Sequence, residues 1–307
     1  MSAFLTAGIV RTALELGLIY SLVALSLFIS YSILNICDLS TDGCYTLGCA
    51  VGAVVTIAGH PILAIFAAMA AGVCSGFIVA ILQTKLGVES ILAGIIVNTG
   101  LYTINLAVMG FKSNLSVFGS DTIYDLFGNI IPGNKAWASW SPLLLLAIIL
   151  CIVCVVIYLF LGTRLGLSIR ATGDSPAMVR ASSINPAFTI IVGLCVSNSL
   201  TGMAGCLIGQ FNGSSDINLG TGMVTVALAS LIIGEMFFQH RGMALRIVGV
   251  IFGSVLYRFA MSLALRLNIP TEAFKLVSAL IVAIALTTPQ VRKLVSLHRQ
   301  KRKQMLG

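Results

Sequence analysis

A few ionisable and amide side chains fall inside long apolar runs, where a charge is costly and is retained for a reason. Glu15 lies one turn after Arg11 and is placed to pair with it. Asp38 and Asp42 flank a polar break, Glu235 follows Gly234 close to Arg241, and Arg258 lies deep in a later run. Local ion pairing or snorkelling would explain each of them. The more informative expectation is that Arg258 faces the interior and pairs with an acid or with polar groups of a solute. Asn98, Asn105, Ser197, Asn198 and Gln210 are also buried in apolar sequence, either lining a path or hydrogen-bonding between helices. The candidate path set is Asp38, Asp42, Asn98, Asn198 and Arg258. Such groups can bind and pass a polar solute.

Covalent chemistry has no comparable constellation. There is no G-x-x-x-x-G-K-[ST] phosphate loop; Gly133-Asn134-Lys135 lacks the rest of it. There is no H-E-x-x-H, and His60, His240 and His298 are scattered near the ends of apolar runs. No catalytic residue, metal site or cofactor is expected. Cys151 and Cys154 form a C-x-x-C within an apolar run, where small packing residues are a better reading than a redox pair.

The elements that must hold these residues follow from composition. Of 307 residues 58% are hydrophobic and only 9% charged, with a mean hydropathy of +1.04. Soluble domains carry about 25% charged residues, so the chain reads as a polytopic all-α membrane protein, a single domain over 1–307. About nine apolar segments (eight to ten) are predicted: 14–34, 43–59, 62–84, 91–109, 142–161, 188–211, 221–239, 243–265 and 272–288. The second is short and rich in glycine and alanine, consistent with a broken or re-entrant helix. The N-terminus lacks a basic n-region and a cleavage site, so the first run is expected to remain as a span.

Basic residues set the orientation. Arg292, Lys293, Arg299, Lys301, Arg302 and Lys303 crowd the tail at 289–307, which is expected to be cytoplasmic, with acidic lipid as a further contact and no nucleic-acid role. Lys85, Arg164, Arg170, Arg180 and Arg241 then share that side. The polar loop at about 110–141 lies outside, with Trp137 and Trp140 in the interfacial belt, and an odd span count puts the N-terminus outside. Asp38-Leu39-Ser40-Thr41-Asp42-Gly43 and Ile217-Asn218-Leu219-Gly220-Thr221-Gly222 both open spans of small and β-branched residues, five spans apart. They suggest an inverted repeat.

The segment 164–186 is too polar to span a bilayer. Asp174 is placed to act as an N-cap, with Ser175-Pro176 starting a short helix and Met178 and Val179 available for contact. Asn185-Pro186 would end it. From the residues alone, docking to an aqueous partner and lying on the headgroups are equally good readings.

This loop, Arg170-Ala171-Thr172-Gly173-Asp174-Ser175-Pro176-Ala177-Met178-Val179-Arg180 through Ile184-Asn185-Pro186, resembles the cytoplasmic loop of permeases in the branched-chain amino acid/ribose group of ABC importers. The runs 17–36 and 192–205 resemble the first span and the span after the loop in that group. The resemblance implies that Gly173, Asp174, Ser175, Pro176, Ala177, Met178, Val179 and Arg180 form a coupling helix for a dimeric cytoplasmic ATPase. It further implies an extracellular or periplasmic solute-binding protein, a second permease subunit (a homodimer is favoured) and a place in the plasma (inner) membrane. Asn35-Ile36-Cys37-Asp38-Leu39-Ser40 is closer to the sugar-type members, whereas the Gly-Asp-Ser-Pro-Ala-Met-Val-Arg loop is closest to a subgroup whose binding proteins take aromatic amino acids. An amino acid is therefore the first expectation for the solute, with a sugar or nucleoside as alternatives. The competing function is a stand-alone ion-coupled secondary transporter using Glu15, Asp38 or Glu235, which would not need the loop at 164–186.

Overall fold

The computed structural model describes residues 7–130, 135–238, 242–266 and 283. The predicted segment 272–288 (Ala283 apart), the basic tail, Arg241, His240 and His298 lie outside the described residues. The described residues are helical almost throughout, because a backbone in lipid must satisfy its own hydrogen bonds. Helix α1 (Ala7–Leu27) runs into a π-helical turn (Phe28–Ile33). It is followed by α2 (Thr41–Ile57), α3 (Pro61–Thr84), α4 (Ser90–Val108), strand β1 (Asn114–Ser116), α5 (Ile123–Gly128) and α6 (Lys135–Gly162). Then come α7 (Arg164–Asp174), α8 (Pro176–Ala181), α9 (Pro186–Asn212), strand β2 (Ser214–Asp216), α10 (Met223–Phe238) and α11 (Met243–Arg266). Among the described residues six helical stretches are long and apolar enough to cross a membrane; α2 and α10 are shorter apolar helices. At 17 residues α2 is about 25 Å long, less than a hydrocarbon core of about 30 Å.

Three features depart from expectation. The polar loop at 110–141 carries secondary structure of its own, a strand included. β1 pairs antiparallel with β2, Leu115 opposite Ser215, and α5 is closed by a capping box between Thr122 and Asp125. Among the described residues the fold is thus all-α apart from one two-stranded ribbon. Second, α6 begins before Pro142, which lies inside the helix, so Trp137 and Trp140 are helical. Trp137 stacks on Phe127 at 5.7 Å, while Trp140 is exposed. Third, the loop at 164–186 holds two helices rather than one.

α9 is the central post, buried along most of its length between α2 and α3, whereas α6 exposes most of its apolar surface. Small residues permit the close approach. A Cβ on Gly48 of α2 would overlap the Gly202 carbonyl of α9, and one on Gly72 of α3 would overlap that of Asn198. Hydroxyls tie α1 to the same post: Ser26 Oγ lies 2.9 Å from Ser197 Oγ and 2.7 Å from Thr201 Oγ1. At the ribbon end, Gln210 accepts from Ile123 N at 2.9 Å and donates to the Pro61 carbonyl. Tyr124 donates to the Leu207 carbonyl at 3.1 Å, and burial holds its phenol well above the ordinary value, so it remains a donor.

Gly48→Leu is expected to lower the thermal midpoint of the purified chain, overpacking costing about 1–3 kcal/mol. Gly100→Ala, which meets open space, should match or exceed wild type. Equal midpoints for Gly48→Leu and wild type would contradict the close α2–α9 contact.

Candidate functional site

The polar break between α1 and α2 sits about halfway along α9. It begins where the π turn ends: Leu34 N bonds to the Ile29 carbonyl, Ile36 N to that of Ser30, and Asn35 takes a left-handed φ of 58°. Asparagine tolerates that region better than most residues. Asp38, fully buried, then accepts from Ser40 N at 2.8 Å and from Asn198 Nδ2 at 2.7 Å. Asn198 also donates to the Leu194 carbonyl. Asp38 and Asn198, far apart in sequence, are therefore one hydrogen-bonded unit that anchors the break to the post.

Asp42 sits in the first turn of α2. Its Oδ2 accepts from Gly222 N at 2.9 Å and its Oδ1 from Val224 N at 2.8 Å. The carboxylate thus caps the N-terminus of α10, taking N–H groups that no residue within that helix can reach and meeting the positive end of its dipole. Thr46 Oγ1, one turn on, accepts from Gly220 N at 3.1 Å. The chain reaches this point from β2 by running back along α2, with Ile217 packed near Ala50. Gly222 has a φ of +87°, and a Cβ on Gly220 would overlap the Asp42 carbonyl. The two look-alike segments noted in the sequence are therefore in direct contact, start to start.

Beside this junction lies a cavity of about 250 Å³ between α2, α4 and the 217–221 turn. Asp42, Thr46, Asn98, Tyr102, Asn105 and Thr221 line it. Asn105 donates to the Gly43 carbonyl at 3.1 Å, and its Oδ1 is buried without a partner. Asn98 makes no side-chain hydrogen bond among the described residues. Of the amides and hydroxyls flagged in the sequence, Ser197, Asn198 and Gln210 hydrogen-bond between elements, Asn98 faces the cavity, and Asn105 does both. Tyr102 and Thr46 carried no sequence signal, because one lies on a mostly exposed helix face and the other in a run of small residues.

The remaining charges lie elsewhere. Glu15 pairs with Arg11 at 2.8 Å, as its spacing suggested. Arg258 is not paired with an acid among the described residues; its guanidinium stacks over the Tyr20 ring at 4.7 Å, joining α11 to α1. Glu235 pairs with Arg246 at 2.9 Å and accepts from Ser32 of the π turn. Arg246 also donates to Ser32 and lies over the Phe28 ring at 5.1 Å. Among the described residues no group of three or more possible metal ligands occurs, and the described cysteines, Cys151 and Cys154 included, are free thiols.

The loop differs from the expected cap arrangement. Asp174 closes α7, and the N-cap of α8 is Ser175, whose Oγ accepts from Met178 N. Ser175 is extended, with its hydroxyl directed at the helix, whereas Asp174 is still helical and cannot fold back. Asn185 does not end α8, which stops at Ala181; it caps α9, accepting from Ala187 N at 3.0 Å. Met178 and Arg180 are exposed, but Val179 is buried and cannot be a contact residue. Gly173 presses on the end of the π turn, where a Cβ would overlap the Ile33 carbonyl. Thr172 and Thr189 hydroxyls meet at 2.8 Å, tying α7 to α9.

The bundle thus has broken helices, a polar junction halfway along its central post and a separate polar loop. The profile of the branched-chain amino acid transport system permease component matches residues 9–286. The chain belongs to that family. The permease is 33% identical over 284 residues to the tyrosine transport system permease protein of Clostridioides difficile (strain R20291), covering 92% of this chain and 91% of that one. It is 32% identical over 288 residues to an uncharacterized protein of Rickettsia prowazekii (strain Madrid E), covering 92% and 98%. No solved structure matches significantly. The family resemblance carried by the loop and its flanking spans is thereby shown, and the tyrosine relative agrees with the aromatic subgroup.

Two outcomes follow for the permease. Asp42→Ala should lower the thermal midpoint, the lost cap costing about 1 kcal/mol, with Asp42→Asn in between; an unchanged Asp42→Ala protein would contradict the capping role. Thermal unfolding of Glu235→Gln, Arg246→Met and the double variant should give a coupling on the order of 1 kcal/mol. Additive losses would show that the pair does not interact.

Proposed function

We propose that the permease is the membrane subunit of an ATP-driven importer and that it moves an amino acid, aromatic by preference, by alternating access. The observation that carries this reading is the build of the loop at 164–186. α8 presents Met178 and Arg180 outward while Val179 packs inward, and Gly173, near the end of α7 that leads into it, bears on the π turn. A helix lying on headgroups does not need to bear on the end of a span. A helix pushed by a partner does.

In this reading the loop end faces the cytoplasm, with Lys85 and the tail, and a dimeric ATPase receives α8. The ribbon end faces outside and meets a solute-binding protein. A second copy of the chain completes the path, and the complex sits in the plasma membrane. Nine spans, the last at 272–288, put the N-terminus outside. Motion of α8 is passed through Gly173 to the π turn, and from Ser32 to Glu235 of α10 and Arg246 of α11. α10 is gripped at its other end by Asp42, so the push arrives at the polar junction. The meeting of the α2 and α10 starts supports an inverted repeat. Asp38, Asp42, Asn98 and Asn198 belong to the path or its supports, while Arg258 on Tyr20 is a packing contact. The tyrosine relative supports an aromatic amino acid as solute.

Co-purification tests the docking claim. The tagged permease, co-expressed with its ATPase, should retain it when Asp121→Ala is made at the ribbon end. Met178→Glu with Arg180→Glu should reduce the recovered ATPase by about tenfold, an interface loss of about 1.4 kcal/mol or more. Full recovery with both changes would overturn the docking role.

A further inference from the structure

The cavity between α2, α4 and the 217–221 turn has an uneven supply of hydrogen-bonding capacity. Among the described residues its one formal charge is the Asp42 carboxylate, and no lysine or arginine lines it. Each Asp42 oxygen takes one backbone N–H, from Gly222 or Val224, which leaves further acceptor capacity on both. Thr46 is committed in both senses, donating to the Asp42 carbonyl and accepting from Gly220 N. Thr221 spends its proton on the Asn218 carbonyl.

Asn105 is decisive. It is 1% exposed, and its Nδ2 donates to the Gly43 carbonyl. That bond fixes which end of the amide is which, since a carbonyl oxygen must face a donor. Oδ1 is therefore the atom left over, buried and without a partner. A buried acceptor left empty carries the full penalty of its lost hydration. Such a group is explained if a ligand donor completes it.

We infer that this cavity is a station for the primary ammonium group of the solute, with Asp42 and Asn105 Oδ1 as its acceptors. This rests on the reading of the chain as an amino-acid permease and deepens it. An ammonium brings three donors and one positive charge, the complement of a carboxylate plus an amide oxygen. The donors that remain, the Asn98 amide and the Tyr102 hydroxyl, suit the carboxylate of the same zwitterion. The exposed Tyr102 ring offers apolar surface to a side chain. A deaminated acid would bring a like charge to Asp42 and leave Asn105 empty.

Thiol labelling tests this on the full-length chain alone, without ATPase or binding protein. Thr99→Cys, at the cavity wall, is made in a background with the exposed Cys74 and Cys151 changed to Ser. A cationic methanethiosulfonate is expected to react faster than an anionic one by about tenfold, after each rate is normalised to free cysteine. The preference should vanish with Asp42→Asn. Tyramine and L-tyrosine should slow labelling, 3-(4-hydroxyphenyl)propanoate and sodium chloride should not, and Asn105→Leu should abolish the protection while leaving the labelling itself. No charge preference, no labelling, or equal protection by the deaminated acid or by sodium would overturn the inference. None of those results would alter ATPase co-purification, so failure here is distinguishable from failure of the importer reading.

Discussion

The carboxylate of Asp42, capping α10 from the first turn of α2, is the contact on which the rest of the arrangement depends. A helix that starts partway along a bundle presents N–H groups that its own chain cannot satisfy. Two are taken by Asp42 oxygens at 2.8 and 2.9 Å. The Asp42 carboxylate, half-buried beside them, would be costly alone. Each half removes the penalty of the other, and the two short helices can stop halfway along the post. That interruption makes room for a polar cavity where continuous helices would have packed side chain against side chain.

α10 is consequently a strut held at both ends, by Asp42 at its start and by Ser32 and Arg246 through Glu235 near its end. The π turn that carries Ser32 also bears the pressure of Gly173 from the exposed loop. By contrast, α2, α3 and α9 meet backbone to backbone, with glycine at the crossing points and the Asp38–Asn198 bond buried among them. Such a contact has no side-chain cushion to deform. The molecule thus combines a stiff α2–α3–α9 block with an α10–α11 pair tied to the loop through polar side chains that can exchange partners.

Much of this was legible in the residues. Long apolar runs located the helices, and the polar stretches 38–43, 164–186 and 217–222 marked the places where helices break. What could not be read was partnership across sequence distance. Glu235 lies close to Arg241 in sequence, yet the reversal between α10 and α11 delivers Arg246. The sequence places Asp174 as the cap of the loop helix, but the end of α7 consumes it and Ser175 takes the role. The β1–β2 ribbon has only three residues per strand, too few for any alternation to register. The likeness between 38–43 and 217–222 was visible, but that the two touch required the fold. Arg258 carried the intramembrane signal of a functional charge, and its contact is an aromatic ring.

The claim on which all of this converges is that solute movement is driven by an ATPase acting through the loop at 164–186. Uptake of labelled tyrosine into proteoliposomes holding the permease with its ATPase and binding protein measures it most directly. The account predicts uptake that requires internal or external ATP on the ATPase side, that is absent without the ATPase, and that no proton or sodium gradient can replace. Uptake by the permease alone, driven by either gradient, would contradict it.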